Sequence, residues 1–179
     1  LRFYNLFTLL LFSATAFGYQ ATSHFGASAV VAGSCTSGSL TGTLNFGAYD
    51  PHAGALTATG TITMNCTLTT QVQNISLDDG KHVSGGIRHM KGSNTNSLLQ
   101  YHIYKPTGAN ISSNTPGTCS GATQWGGNGT IGTRLAFTAA TGTFHSTSTI
   151  ISVCGQIPSQ PTAVTDGYID TVLITVNYL

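Results

Sequence analysis

The sequence predicts an all-β fold, a two-sheet sandwich of about seven strands. Three observations carry that expectation. Apolar and polar residues alternate at period two, as in Ile62-Thr63-Met64-Asn65-Cys66 and again from Val172 to Tyr178. Turn-forming Gly, Pro, Asp and Asn recur at intervals of about ten residues. Glu is absent, Lys is scarce, and no stretch sustains a helical apolar period.

The chain divides into three parts. Residues 1–18 read as a secretory signal peptide: Arg2, an apolar run Leu6 to Phe12, then small residues at Ala14-Thr15-Ala16 and Gly18. That run is too short to span a bilayer, which takes about 20 apolar residues, and no second run of the kind follows. Residues 19–34 form an N-terminal extension in which Phe25, Ala27, Ala29 and Val31 share one face of a weak strand pattern. Residues 35–179 then suit a single domain with a substantial core.

Within that domain the first strand is expected over Leu40–Tyr49, closed by the turn Asp50-Pro51-His52-Ala53-Gly54. The next, Thr57–Leu68, puts Ile62, Met64, Cys66 and Leu68 on one face. Val72–Leu77 follows and stops at Asp78-Asp79-Gly80. Ile87–Met90 and Leu98–Tyr104 are further strands. Residues 106–133, rich in Gly, Asn, Ser and Thr, read as a long loop with room for one short strand. Leu135–Phe137 and Phe144–Val153 come next, broken at Gly155 and at Pro158 to Pro161. Tyr168–Leu179 is one unbroken strand pattern whose even set, Val172, Ile174, Val176 and Tyr178, makes an apolar stripe. No partner follows that stripe in sequence, so its cover comes from earlier in the chain or from another molecule. An open strand edge is a template for intermolecular pairing.

Charge excludes some functions. Charged residues make up 6% of the chain, and removing Arg2 with the signal leaves five basic side chains against five acidic. Nucleic acid selects strongly basic faces, so it is not an expected partner. Near-neutrality also weakens the repulsion that keeps copies apart. The cysteines, Cys35, Cys66, Cys119 and Cys154, are even in number, and in an exported protein they read as two disulfides. Three connectivities are open. Sequence proximity favours Cys35–Cys66 and Cys119–Cys154.

No motif points to catalysis or a cofactor. His24, His52, His82, His89, His102 and His145 lack metal-ligand spacing, so no metal is expected. Asp78-Asp79-Gly80 reads as an Asx turn, since a calcium loop of the EF-hand kind needs a distal Glu. Neither a GxSxG elbow, an SxxK pair nor an HExxH helix is present. Asp166 and Asp170 are the only close carboxylates outside that turn, and Asp170 reads as a cap at the strand entrance rather than as half of a glycosidase pair. Trp125 reads as a plug at one end of the sandwich rather than as a sugar-stacking ring. Arg88 is placed to pair with Asp78 or Asp79, a contact worth about 0–1 kcal/mol at a surface.

An ordered set of segments resembles the spore coat protein U domain family. It comprises Leu44-Asn45-Phe46-Gly47-Ala48-Tyr49-Asp50-Pro51, Gly60-Thr61-Ile62-Thr63-Met64-Asn65-Cys66, Ile75-Ser76-Leu77-Asp78-Asp79-Gly80, Arg88-His89-Met90 and Leu99-Gln100-Tyr101-His102-Ile103-Tyr104. Trp125-Gly126, Gly155-Gln156-Ile157-Pro158 and Gly167-Tyr168-Ile169-Asp170-Thr171-Val172 complete it. The family resembles subunits of archaic chaperone–usher pili. The resemblance implies an immunoglobulin-like sandwich lacking its last strand, with a free N-terminal donor strand. A periplasmic chaperone, an outer-membrane usher and neighbouring subunits, in a homo- or hetero-polymer, are the implied partners. The implied course is through the periplasm to the cell surface. Val172, Ile174, Val176 and Tyr178 would then belong to the acceptor strand, and Phe25, Ala27, Ala29 and Val31 to the donor. The family's disulfide near the first strand would be Cys35–Cys66. A surface- or sugar-binding adhesin module, or a coat protein of the same fold, is the alternative.

Overall fold

The structure, a computed structural model, describes residues 28–36 and 40–179. The signal peptide and the donor positions Phe25 and Ala27 lie outside the described residues. The chain falls into two units, 1–31 and 32–179. In the first, residues 28–31 form no strand, and Ala29 and Val31 are exposed.

Among its described residues the second unit has ten strands and one turn of helix. In chain order these are β1 (Thr41–Thr43), β2 (Leu56–Asn65), β3 (Val72–Leu77), β4 (Val83–Ser84), β5 (Ile87–Gly92), β6 (Leu98–Tyr104) and β7 (Leu135–Ala136). Then come α1 (Ala139–Gly142), β8 (Ser148–Ile157), β9 (Tyr168–Ile169) and β10 (Ile174–Tyr178). The large sheet runs β1-β2-β8-β6-β5-β4, with β9 pairing with the far end of β5 on the same edge as β4. The small sheet runs β10-β3-β7. Every strand pairing is antiparallel, as the alternating pattern requires of sheets with one wet face.

The pleat sorts the side chains. Ile62, Met64, Leu99, Tyr101, Ile103, Ile151 and Val153 point inward from the large sheet to meet Val72, Ile75 and Leu77 of the small one. Ile111, Trp125, Ile131 and Phe144, all from segments between strands, are buried as well. Trp125 is 0% exposed and donates its indole N–H to the Ile75 carbonyl at 3.0 Å, so the ring is sealed inside and is no surface platform. The disulfides are Cys35–Cys66 and Cys119–Cys154.

Several expected boundaries move. The Leu40–Tyr49 strand shrinks to β1, because the Asn45 side chain accepts from Gly47 N–H at 2.8 Å and Gly47 adopts φ +67°. Leu68 leaves the face of Ile62 and Met64, since Thr69 at φ +67° turns the chain, and Leu68 is left exposed. Gly155 does not end a strand. It lies within β8, where an added Cβ would stand 2.7 Å from Phe46 Cζ and 2.8 Å from Leu44 Cδ1, so only glycine admits those two side chains. The long loop holds isolated bridges such as Thr107↔Thr118 but no named strand. The C-terminal pattern is cut in two. β9 belongs to the large sheet and β10 to the small one, with Asp170 to Leu173 crossing between them.

Candidate functional site

β10 is an edge strand. It pairs with β3 through Ile174↔Leu77, Val176↔Ile75 and Tyr178↔Val72, and among the described residues no strand lies on its other side. Val172, Ile174 and Val176 pack against the core while Leu173 is 59% exposed, so the even set faces inward. Tyr178 follows an irregularity in the register after Asn177 and is itself exposed, so the inward stripe ends at Val176.

An apolar groove of about 220 Å³ opens between the two sheets at this edge. Thr43, Leu44 and Phe46 line one flank and Asp170, Val172 and Ile174 the other, over core residues such as Leu77, Tyr101 and Val153. Phe46 meets Tyr101 edge-on, with ring centroids 6.3 Å apart. The groove narrows at Gly42, where an added Cβ would stand 2.7 Å from Ile174 Cδ1. Just past the end of β10, Gly33 lies against the chain, where an added Cβ would stand 2.8 Å from the Leu179 carbonyl oxygen. The stripe is therefore covered in part from within the chain.

Polar side chains hold the crossover that frames the groove. The Asp170 side chain is 3% exposed. It accepts from Tyr101 OH at 2.7 Å, from Lys81 N–H at 3.0 Å and lies 3.1 Å from His82 Nδ1. Burial and the bond to Asp170 push the Tyr101 hydroxyl far above the ordinary phenol range, so it stays a donor. Asp78 clasps Leu173 from both sides: its N–H donates to the Leu173 carbonyl at 3.0 Å and its carboxylate accepts Leu173 N–H at 2.8 Å. These bonds pull residues 170–173 out of the strand path, which the sequence pattern alone did not disclose.

Arg88 is not a surface ion-pair partner. It is 1% exposed, at an inward position of β5. Its guanidinium donates from Nε and Nη2 to the Asp78 carbonyl and from Nη1 to the Trp125 carbonyl at 2.9 Å. Burial lowers its pKa, and electrostatic attraction to the nearby Tyr101 hydroxyl and to the Asp79, Asp78 and Asp170 carboxylates opposes that shift. The signal for it was in the sequence: Arg88 and Met90 share the inward phase of a strand, and a buried cation must then find acceptors.

The remaining acids brace turns. Burial pushes the Asp79 carboxyl up, but N–H donation from Thr130 and Ile131, the Thr130 hydroxyl and the Arg88 charge outweigh it and hold the group below its ordinary value. Asp166 accepts from Thr95 N–H, Thr95 Oγ1, Asn94 Nδ2 and Asn94 N–H, which hold its carboxyl well below the usual range. Among the described residues no group of three or more His, Cys, Asp or Glu side chains is gathered to hold a metal. Nor is any described helix long and apolar enough to cross a membrane.

Two antiparallel sheets, the large one tied to its flanking segments by two disulfides and the pair open at one edge over an apolar groove, define an immunoglobulin-like sandwich with an exposed edge strand. Residues 21–175 match the Spore Coat Protein U domain, and the chain belongs to that family. No curated protein matches it. Among solved structures it is similar to a chain of the crystal structure of the CsuC–CsuE chaperone–tip adhesion subunit pre-assembly complex from archaic chaperone–usher Csu pili of Acinetobacter baumannii. The identity is 22%, the TM-score 0.46, and the match covers 82% of this chain and 40% of that one.

Proposed function

We propose that the chain is a structural subunit of a surface pilus, assembled by strand donation through a periplasmic chaperone and an outer-membrane usher. Membership of the family and the sequence resemblance to archaic pilus subunits support the reading. The observation that carries it is the free edge of β10 beside the apolar groove. A strand laid along that edge gains main-chain hydrogen bonds, and its alternate side chains enter the groove. The donor is the segment Tyr19 to Val31 of a neighbouring copy, with Phe25 contributing most of the buried area. Because Gly42 lies against Ile174 of β10 and Gly33 against Leu179 just beyond it, a donor pairing along its whole length displaces them first.

The test compares the thermal unfolding of residues 19–179 with that of the same chain carrying a second copy of residues 19–31 fused as donor. Two or three groove-filling side chains at about 1.5–3 kcal/mol each should raise the midpoint by roughly 10 °C or more. Equal midpoints would sink the reading. In the assembly assay, removing residues 19–31 should leave a subunit that accepts a donor yet cannot extend a fibre.

A further inference from the structure

The outer face of the large sheet carries a second cavity, which shares no lining residue with the groove. It has a volume of about 490 Å³ and lies where β2, β6 and β8 meet the segment Cys119 to Ala122. That segment is held in place from several directions. The Cys119–Cys154 disulfide ties it to β8, Lys105 N–H donates to the Thr123 carbonyl at 3.0 Å, and Thr107 and Thr118 form a bridge. The cavity is therefore formed before any ligand arrives.

Its lining has a distinctive chemistry. Thr57 and Thr59 come from β2, Gln156 from β8 and the half-buried Tyr104 from β6. The Tyr104 hydroxyl donates to Gln156 Oε1 at 3.1 Å, which turns the amide and leaves Nε2 free to donate. His102 stands beside the Tyr104 ring, centroids 6.0 Å apart, and fixes its tilt. The Thr57 hydroxyl has no partner among the described residues, and that of Thr59 reaches only the Cys119 sulfur at 3.6 Å. No charged side chain lines the cavity. Thr61 and Thr63 continue the same face along β2 beyond it.

We infer that this cavity binds an uncharged oligosaccharide. A sugar ring offers an apolar face and a rim of neutral hydroxyls, and the cavity offers an aromatic face and a rim of neutral donors and acceptors. An anionic glycan or an acidic peptide finds no cation here. The C–H face of one sugar stacks on Tyr104, its hydroxyls bond Gln156 Nε2 and the Thr57 and Thr59 hydroxyls, and the next unit runs on towards Thr61.

Isothermal titration of the full chain with maltohexaose, cellohexaose and chitohexaose tests this, independently of strand donation. At least one should bind saturably. Tyr104→Ala should weaken that binding by about tenfold or more, Tyr104→Phe should keep it within about threefold, and Thr57→Val should cost about three- to tenfold. Thr57 is exposed, so its variant tests the site even where Tyr104→Ala disturbs folding. Failure of all three sugars to bind, or binding that both Tyr104→Ala and Thr57→Val leave unchanged, overturns the inference. Pairing of two copies through these residues without sugar binding would give the face to a second copy and overturn it equally.

Discussion

Arg88 shows how much one buried side chain can organise. Its guanidinium serves two carbonyls on different segments, Asp78 at the end of β3 and Trp125 in the long loop, and so joins the floor of the groove to the plug of the core. Arg88→Ala strands both acceptors, at about 1–3 kcal/mol for each buried group left unpaired. Urea unfolding should therefore show a loss of about 3 kcal/mol. Arg88→Lys should recover little of it, because an ammonium cannot fork between carbonyls as a guanidinium does. The sequence placed Arg88 beside Asp78 correctly but not its targets, since a backbone carbonyl leaves no mark in the residue pattern. Titration works at the same scale. Burial, with Arg88 and His89 nearby, lowers the pKa of His102, so its unfolded form takes a proton more readily. The stability linked to it is present above about pH 6.5 and is lost as the pH falls through the depressed folded value. Asp79 and Asp166 are also depressed, and their contribution is present above about pH 4 and lost below it. Melting curves across that range should show two descending steps on acidification. His102→Gln should flatten the upper step and Asp166→Asn the lower.

At the scale of elements, strands with clear alternation and firm turns were legible. β3 and β6 fall where the pattern put them, because Asp78-Asp79-Gly80 and the apolar-polar rhythm of Leu98–Tyr104 each have one reading. The inward phase of Val172, Ile174 and Val176 was legible for the same reason. What the pattern missed depends on partners distant in sequence. Gly155 looks like a breaker until Leu44 and Phe46 are seen against it, and the cut between β9 and β10 comes from Asp78 and Asp170. The Gly155 contact makes a sharp prediction. Gly155→Ala should destabilise the fold by about 1–3 kcal/mol through overpacking. Phe46→Ala should relieve part of that cost, giving a non-additive double-mutant cycle. The groove makes another. Val176→Asp should stop fibre formation in the presence of the chaperone, whereas Leu173→Asp, at an exposed position, should do less. The reverse order would mean that the donor approaches the other face of β10.

For the whole molecule, two disulfides stand at opposite kinds of place. Cys119–Cys154 holds the long loop to the middle of the large sheet, and Cys35–Cys66 holds the start of the body to the end of its longest early strand. Each closes a loop of moderate length, for which chain entropy gives about 3–4 kcal/mol of stabilisation. Reduction should lower the unfolding midpoint accordingly, and replacing either pair by serine should account for roughly half of the effect. The full extent of the long loop was legible from composition, but its role as one wall of a cavity was not, because that role needs β2, β6 and β8 side by side.

The position of Cys35 also decides how the molecule bears tension. A pull on the extension before Cys35 enters the body through the covalent bond to Cys66, whose sequence separation is 31 residues. The intervening chain, which includes β1 and the whole of β2, is short-circuited and lies off the covalent path of the load. The groove flank at Thr43 to Phe46 therefore keeps its shape while the subunit is stretched, and a strand seated there is not loosened by force. In a single-molecule pulling experiment, reduction should release an extra length of about 100 Å, the span of some thirty extended residues. In the proposed fibre, where the extension is donated to a neighbour, reduction should also lower the force at which the two subunits part.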